Sequence, residues 1–115
     1  MPHCIVEYSA PLAQQIAISA LVKAVHQGAI ESELFEPAAI KTRAYGAEYS
    51  CVGEIEDASF IHITLKIMPG RTDEQKQLLL QAIDRRIAPL CRQVSSITIE
   101  VLDIAKAHYF KRING

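Results

Sequence analysis

The sequence predicts an α+β domain in which two βαβ units form a four-stranded sheet with two helices on one face. Two observations predict this fold. Apolar residues alternate at period two in short segments and recur at helical spacing in longer ones, in the order strand–helix–strand twice over. The chain has 115 residues, half of them apolar, which suits a single domain over residues 1–115 with one core.

The first unit begins at the N-terminus. Residues 2–8 predict a strand whose alternate side chains face opposite sides of the sheet. Ser9 as N-cap and Pro11 in the first turn predict that a helix follows at once, and Gly28 predicts its end. The residues expected to form its buried stripe are Leu12, Ile16, Ala20, Leu21, Ala24 and Val25.

The second and third strands complete the predicted sheet. Residues 39–45 form the second, and residues 59–68 form the third and clearest one. On the second strand, one face carries Lys41, Arg43 and Tyr45. On the third, the apolar face carries Ile61, Ile63, Leu65 and Ile67, and the mixed face carries Phe60, His62, Thr64 and Lys66.

The second unit ends with a helix and a strand. Thr72 and Gln75 form a capping box, so a helix begins at Asp73, and Pro89 ends or kinks it. Residues 96–102 alternate as a fourth strand, whereas the last dozen residues have no assignable pattern. The residues expected to be buried on this helix are Leu78, Leu79, Ala82, Ile83, Ile87 and Leu90.

The predicted sheet leaves one face without helices. That face includes the mixed side of the third strand, with Phe60, His62, Thr64 and Lys66. A half-apolar sheet face is usually covered by another subunit. The fold therefore predicts self-association through this face.

Composition and charge argue against several partners. The formal net charge is −1, from 12 basic and 13 acidic residues, so no charge excess favours nucleic acid or an anionic membrane. No apolar run approaches the roughly 18 residues of a membrane span, and no signal peptide is recognisable. Cys4, Cys51 and Cys91 are an odd number at wide spacing, which indicates reduced thiols. We therefore expect a cytoplasmic location.

Pro2 has two interpretations. If Met1 is removed, Pro2 carries a free secondary amine, and an α-amino group titrates at about 7.7–8.0, where it can carry protons. The small second residue favours that removal. The alternative is a proline that only begins a strand without donating a hydrogen bond.

The candidate ligand-binding residues are cations. Arg71 precedes a helix N-terminus, where an anion is favoured, so the two together suit a carboxylate; the alternative is an exposed loop arginine. Lys41 and Arg43 are a second candidate pair on one strand face, or a solvated edge. His62 is either an acid–base group or a hydrogen-bonded face residue. No spacing of ligands predicts a metal site.

These features together resemble the tautomerase superfamily, and within it the 5-carboxymethyl-2-hydroxymuconate Δ-isomerases. The resemblance covers nearly the whole chain. It rests on Pro2-His3 with Ile5-Val6-Glu7, Ile40-Lys41-Thr42-Arg43, Phe60-Ile61-His62-Ile63-Thr64-Leu65-Lys66-Ile67, and Gly70-Arg71-Thr72-Asp73-Glu74-Gln75-Lys76.

The resemblance implies a homotrimer with its sheets turned inward and Pro2 as general base and acid. It implies that Arg71 and a cation of the second strand hold carboxylates of a small unsaturated dicarboxylate, with no cofactor or metal. Phe60 and His62 are candidates for the pocket wall. The family's second-strand arginine is replaced by Lys41, with Arg43 two residues later, and lysine cannot bind a carboxylate bidentately.

A second function stays open at this stage. A non-catalytic trimeric protein that binds small carboxylates would keep the cations without the chemistry. A free N-terminal proline favours the enzyme, and a retained Met1 favours the binding protein.

Overall fold

The computed structural model describes residues 1–115 and confirms the predicted fold. Four strands form one sheet in the order β2-β1-β3-β4, with β1–β2 and β3–β4 parallel and β1–β3 antiparallel. The elements are β1 His3–Ser9, α1 Ile18–Glu31, β2 Lys41–Ala47, β3 Phe60–Ile67, α2 Asp73–Ile87 and β4 Ser96–Asp103. Neither helix has the length and apolarity to cross a bilayer.

The core lies between one sheet face and the two helices. The apolar side of β3 and the alternate residues of β1 are buried there, as the period-two pattern predicts. From β3 the buried side chains are Ile61, Ile63, Leu65 and Ile67; from the helices they include Leu21, Val25, Leu79, Ile83 and Ile87. The opposite face of the sheet has no helix over it.

The start of the first helix differs from the prediction. Residues Ala10–Gln14 form a separate 3₁₀ helix, and α1 begins only at Ile18. Ser9 does not cap a helix, because its buried Oγ accepts a hydrogen bond from the Phe60 backbone N–H at 3.1 Å. Leu12 and Ile16 are nevertheless buried. Their spacing continues the apolar pattern of α1, although the helix is interrupted between the 3₁₀ helix and α1.

Gly28 does not end α1, and the prediction that it does is wrong. It lies inside the helix, where α1 crosses α2. A Cβ at this position would be 2.9 Å from the Ile83 Cα and 3.0 Å from the Ala82 carbonyl oxygen. The glycine therefore serves close approach of the two helices, and the chain turns after Glu31 instead, with Glu33 at a φ of 59°.

The predicted start of α2 is confirmed. Thr72 Oγ1 accepts from the Gln75 N–H at 3.2 Å, and Gln75 Oε1 accepts from the Thr72 N–H at 2.8 Å. The α-helix ends at Ile87 and a short 3₁₀ turn containing Pro89 follows. Leu78, expected to be buried, is 58% exposed, since it lies beside the buried stripe rather than in it. Leu90, 37% exposed, lies in the 3₁₀ turn beyond the helix.

We expect Gly28→Ala to destabilise the fold by about 1–2 kcal/mol. Alanine is the better helix former by up to ~1 kcal/mol, but its methyl group meets the α2 backbone, and overpacking typically costs about 1–3 kcal/mol. Urea unfolding measures the difference. Ser19→Ala, at an exposed position of the same helix, is the control and should be neutral or slightly stabilising. Equal stability of Gly28→Ala and the parent would contradict the close contact.

Candidate active site

The start of β1 and the start of β2 lie side by side at one end of the sheet. The Lys41 N–H donates to the Pro2 carbonyl oxygen at 3.0 Å, one step before the first paired residues, His3 and Lys41. Pro2 itself is fully buried. Because β3 runs antiparallel to β1, the C-terminal end of β3 lies at the same end of the sheet as Pro2. The loop that carries Arg71 follows directly from that end of β3.

The N-terminal amine lies at this end of the sheet and is hydrogen-bonded to the segment that leads into β2. The Met1 ammonium donates to the Ala39 carbonyl oxygen, and Lys41 Nζ donates to the same oxygen at 3.3 Å. Burial lowers the pKa of the amine, and the positive charges of Lys41 and Lys111 lower it further. An amine here is therefore more often neutral, and so a better base, than one in water.

Arg43, predicted as a substrate-binding cation, contacts His3 instead of lying free. Its Nη1 donates to His3 Nδ1 at 3.1 Å. The proton of a neutral His3 is then on Nε2, which donates to the Tyr109 hydroxyl oxygen at 2.8 Å. The two rings meet edge-on with centroids 6.1 Å apart. Burial, and then the charge of Arg43, lower the pKa of His3, which favours the neutral imidazole.

Sequence reasoning did not find this linked set. His3 and Tyr109 are 106 positions apart, and the C-terminal segment has no periodic pattern. The available signal was the position of His3 next to Pro2, on the sheet face without helices. Neither residue's partner is encoded locally.

Arg71 contacts the segment between α1 and β2. Its Nη2 donates to the Leu34 carbonyl oxygen at 2.5 Å, and its guanidinium carbon lies 5.2 Å from the centre of the Phe35 ring. The first turn of α2 is already occupied by its capping box and by Asp73 and Glu74. Arg71 is thus fixed by two partners while the remaining guanidinium N–H groups stay available.

Phe60 and His62 lie toward the far end of the sheet from Pro2. Lys66 pairs with His3, and Phe60 is six residues earlier on β3, so Phe60 lies about 20 Å from His3 along the strand. The two nitrogens of His62 bond to Thr98 Oγ1 and to Glu100 Oε1, at 2.6 and 2.9 Å. One protomer therefore does not bring these residues to Pro2, and their role as pocket wall stays a prediction.

The cations at the Pro2 end have no carboxylate partner. The ion pairs of the protein are Lys76–Asp103 and Arg86–Glu31, and the only other carboxylate contact of a basic side chain is the 2.9 Å hydrogen bond between His62 and Glu100. Lys41, Arg43, Lys66 and Arg71 take part in none of them. No group of three potential metal ligands occurs in the protein. The uncompensated positive charge at this end of the sheet favours an anionic ligand.

Cys4 is an inert neighbour of this site. Its side chain is buried in the core, and burial raises the pKa of the thiol to about 11. A thiol of this kind is not a nucleophile near neutral pH, because the thiolate is the reactive form.

A mixed four-stranded sheet under two helices, with Pro2 at the start of β1 beside unpaired cations, is typical of tautomerase-type proteins. The chain belongs to the 5-carboxymethyl-2-hydroxymuconate isomerase family, whose model matches residues 2–114. Its class is therefore isomerase. No curated protein shows significant sequence similarity to the chain.

Solved structures share the fold. A 5-carboxymethyl-2-hydroxymuconate delta-isomerase is similar with a TM-score of 0.84 and 18% identity, over 99% of this chain and 89% of that one. A 5-carboxymethyl-2-hydroxymuconate isomerase from Deinococcus radiodurans R1 gives 0.78 and 21%, over 98% and 90%. A fused 4-OT protein described as a symmetric trimer gives 0.74 and 22%, over 96% and 93%.

We expect His3 to titrate below 6.5 in the folded protein, by NMR. The unfolded chain then binds more protons just below pH 6.5, so stability falls as pH falls through that value. Arg43→Gln keeps a donor but removes the charge, and should move the His3 pKa upward. A midpoint at or above 6.5 in the parent protein would contradict the bonding of Arg43 to Nδ1.

Proposed function

We propose that this protein moves a proton within a small unsaturated keto or dienol dicarboxylate, with the amine of Pro2 as base and then acid. The observation that carries the proposal is the placement of the N-terminus, which lies partly buried among unpaired cations at one edge of the sheet. Membership of the isomerase family supports the reaction class. The residues supply this chemistry without a metal or organic cofactor.

Removal of Met1 makes the Pro2 nitrogen the reactive group. The ring of Pro2 is buried, and its carbonyl is bonded to the Lys41 N–H, so the new amine is held rigidly at the start of β1. We expect burial and the Lys41 charge, which lower the pKa of the Met1 amine, to act on the Pro2 amine in the same direction. A lowered pKa would keep this amine neutral and basic near pH 7.

The proton transfer needs only this one group. The Pro2 lone pair takes a proton from the carbon α to a substrate carbonyl, and the electrons of that C–H bond pass onto the carbonyl oxygen as a dienolate. The protonated Pro2 then returns the proton to the conjugated carbon, and the double bond shifts. Neighbouring cations stabilise the dienolate while it exists.

The carboxylates are assigned to Lys41 and Arg71. Lys41 shares the Ala39 carbonyl with the N-terminal amine, so its charge is nearest to the reacting atoms. Arg71 lies in the loop after the same edge and keeps free guanidinium donors. Arg43 already donates to His3, which favours Lys41 as the second-strand cation. Lysine is a point charge rather than a bidentate fork, so this carboxylate is held less directionally.

We also propose a homotrimer that buries the sheet face without helices. That face carries Phe60, His62, Thr64 and Lys66, together with the exposed apolar side chains Tyr45 (57%) and Leu102 (43%). The similarity to a fused protein described as a symmetric trimer supports the number of subunits. In such a trimer, residues of a neighbouring subunit would line the side of the Pro2 pocket that one protomer leaves open.

Two changes at the N-terminus test the proposal. Pro2→Ala should keep the fold and part of the activity, because alanine also presents an amine; kcat should fall, by at most the roughly 10²–10⁴-fold that acid–base catalysis contributes. One residue added before Pro2 should reduce activity more, since it converts the nitrogen to an amide. Steady-state rates with a dienol dicarboxylate measure both.

The relative loss of activity in the two variants decides whether Pro2 is catalytic or only begins a strand. The ascending limb of the pH profile of kcat/KM should disappear in the extended protein, and its thermal unfolding should match the parent. If the extended protein isomerises the substrate as fast as the processed one, Pro2 only begins a strand.

A further inference from the structure

The C-terminal segment returns to the end of the sheet that holds the N-terminus. The Ile104 N–H donates to the Ile67 carbonyl oxygen at 2.7 Å, and a 3₁₀ turn at Lys106–His108 then redirects the chain. Tyr109 follows directly and bonds to His3 at 2.8 Å. The tail is thus attached at both ends of this turn, once to the end of β3 and once to the start of β1.

We propose that this segment is part of the active site: His3 docks Tyr109, and Lys111, so positioned, binds a carboxylate of the substrate beside the N-terminal amine. The inference rests on the proposed function and adds to it a cation from the last residues of the chain. His3 and Tyr109 are positioning residues, and Lys111 determines specificity.

His3 is well suited to hold the tail. Its side chain projects from the sheet face without helices, between Lys41 on β2 and Lys66 on β3. Arg43 occupies Nδ1, which leaves Nε2–H as the donor for the Tyr109 hydroxyl. The cations around His3 disfavour its protonated form, so this donor–acceptor arrangement persists at neutral pH. The hydroxyl proton of Tyr109 remains available to a further acceptor.

Lys111 follows the docked Tyr109 by two residues, which brings it to the end of the sheet that holds the N-terminus. Its positive charge, like that of Lys41, acts to lower the pKa of the Met1 amine. It has no carboxylate partner in the protein. Arg112, the next residue, differs: its guanidinium carbon lies 5.3 Å from the centre of the Phe110 ring. Adjacent positions of one tail therefore offer a cation whose charge acts on the Met1 amine and a cation that lies over a neighbouring aromatic ring.

A third cation matters for a substrate with two acid groups. Lys41 shares the Ala39 carbonyl with the amine, and Lys111 lies two residues beyond the tyrosine docked on His3, whereas Arg71 lies in a separate loop at the same end of the sheet. One carboxylate can then be held near the reacting carbon and the other at Arg71. A ligand with a single carboxylate uses only one of these positions.

Lys111→Gln and Arg112→Gln form a matched pair that tests the proposal. Each removes one positive charge from the tail. Calorimetric binding of muconate, a six-carbon unsaturated dicarboxylate, should weaken about five-fold in Lys111→Gln, the loss expected for a partly exposed ion pair. Arg112→Gln should bind as the parent does, and Lys111→Arg should restore affinity. Sorbate, the monocarboxylate of the same length, should lose less in Lys111→Gln.

The pKa of the N-terminal amine gives a readout that does not depend on turnover. Measured from the pH dependence of amine labelling, it should rise in Lys111→Gln and stay unchanged in Arg112→Gln. Tyr109→Phe should change muconate binding and the amine pKa in the same direction as Lys111→Gln, with the melting temperature unchanged.

The two possible failures are distinguishable. Equal muconate affinity and equal amine pKa in Lys111→Gln and Arg112→Gln would overturn the role of the tail, whatever the activity. Lack of isomerase activity in the parent would instead refute the proposed function. In that case a selective effect of Lys111→Gln on binding and amine pKa would still support a carboxylate site that includes the tail.

Discussion

The hydrogen bond from the Lys41 N–H to the Pro2 carbonyl fixes the part of the molecule on which the site depends. It is the first rung of the parallel ladder between β1 and β2, and it determines which residues face each other along both strands. With that register, His3 lies between Lys41 and Lys66, and the chain's first amine lies beside the Lys41 side chain. A slip by one residue would turn every one of these side chains to the other face.

The two faces of the sheet have different tasks. The face toward α1 and α2 is filled by aliphatic side chains and supplies the core, with the helices brought together at Gly28. The opposite face carries cations at the Pro2 end and the hydrogen-bonded pair His62 and Glu100 toward the other end. Because the core needs only one face, the other is free to carry charge, a docked tail and, in the proposed trimer, the neighbouring subunits.

Patterns that repeat locally predicted most of the fold and part of the site. The strand alternation of β3 and the capping box at Thr72 depend on neighbours in sequence, so both were visible in advance. The break before α1 was not, because Leu12 and Ile16 keep helical spacing while being buried from a 3₁₀ segment. The role of Gly28 depends on α2, and the docking of Tyr109 depends on His3 at the other end of the chain.

The proposed mechanism requires that the first amine of the mature chain belongs to Pro2. Intact-mass spectrometry of protein expressed from its own start codon, without an added tag, tests it most directly. We expect a mass that lacks the initiator methionine, because the small second residue permits its removal and the chemistry needs a free proline nitrogen. A mass that includes Met1 would make the Pro2 nitrogen an amide and would contradict the proposed mechanism.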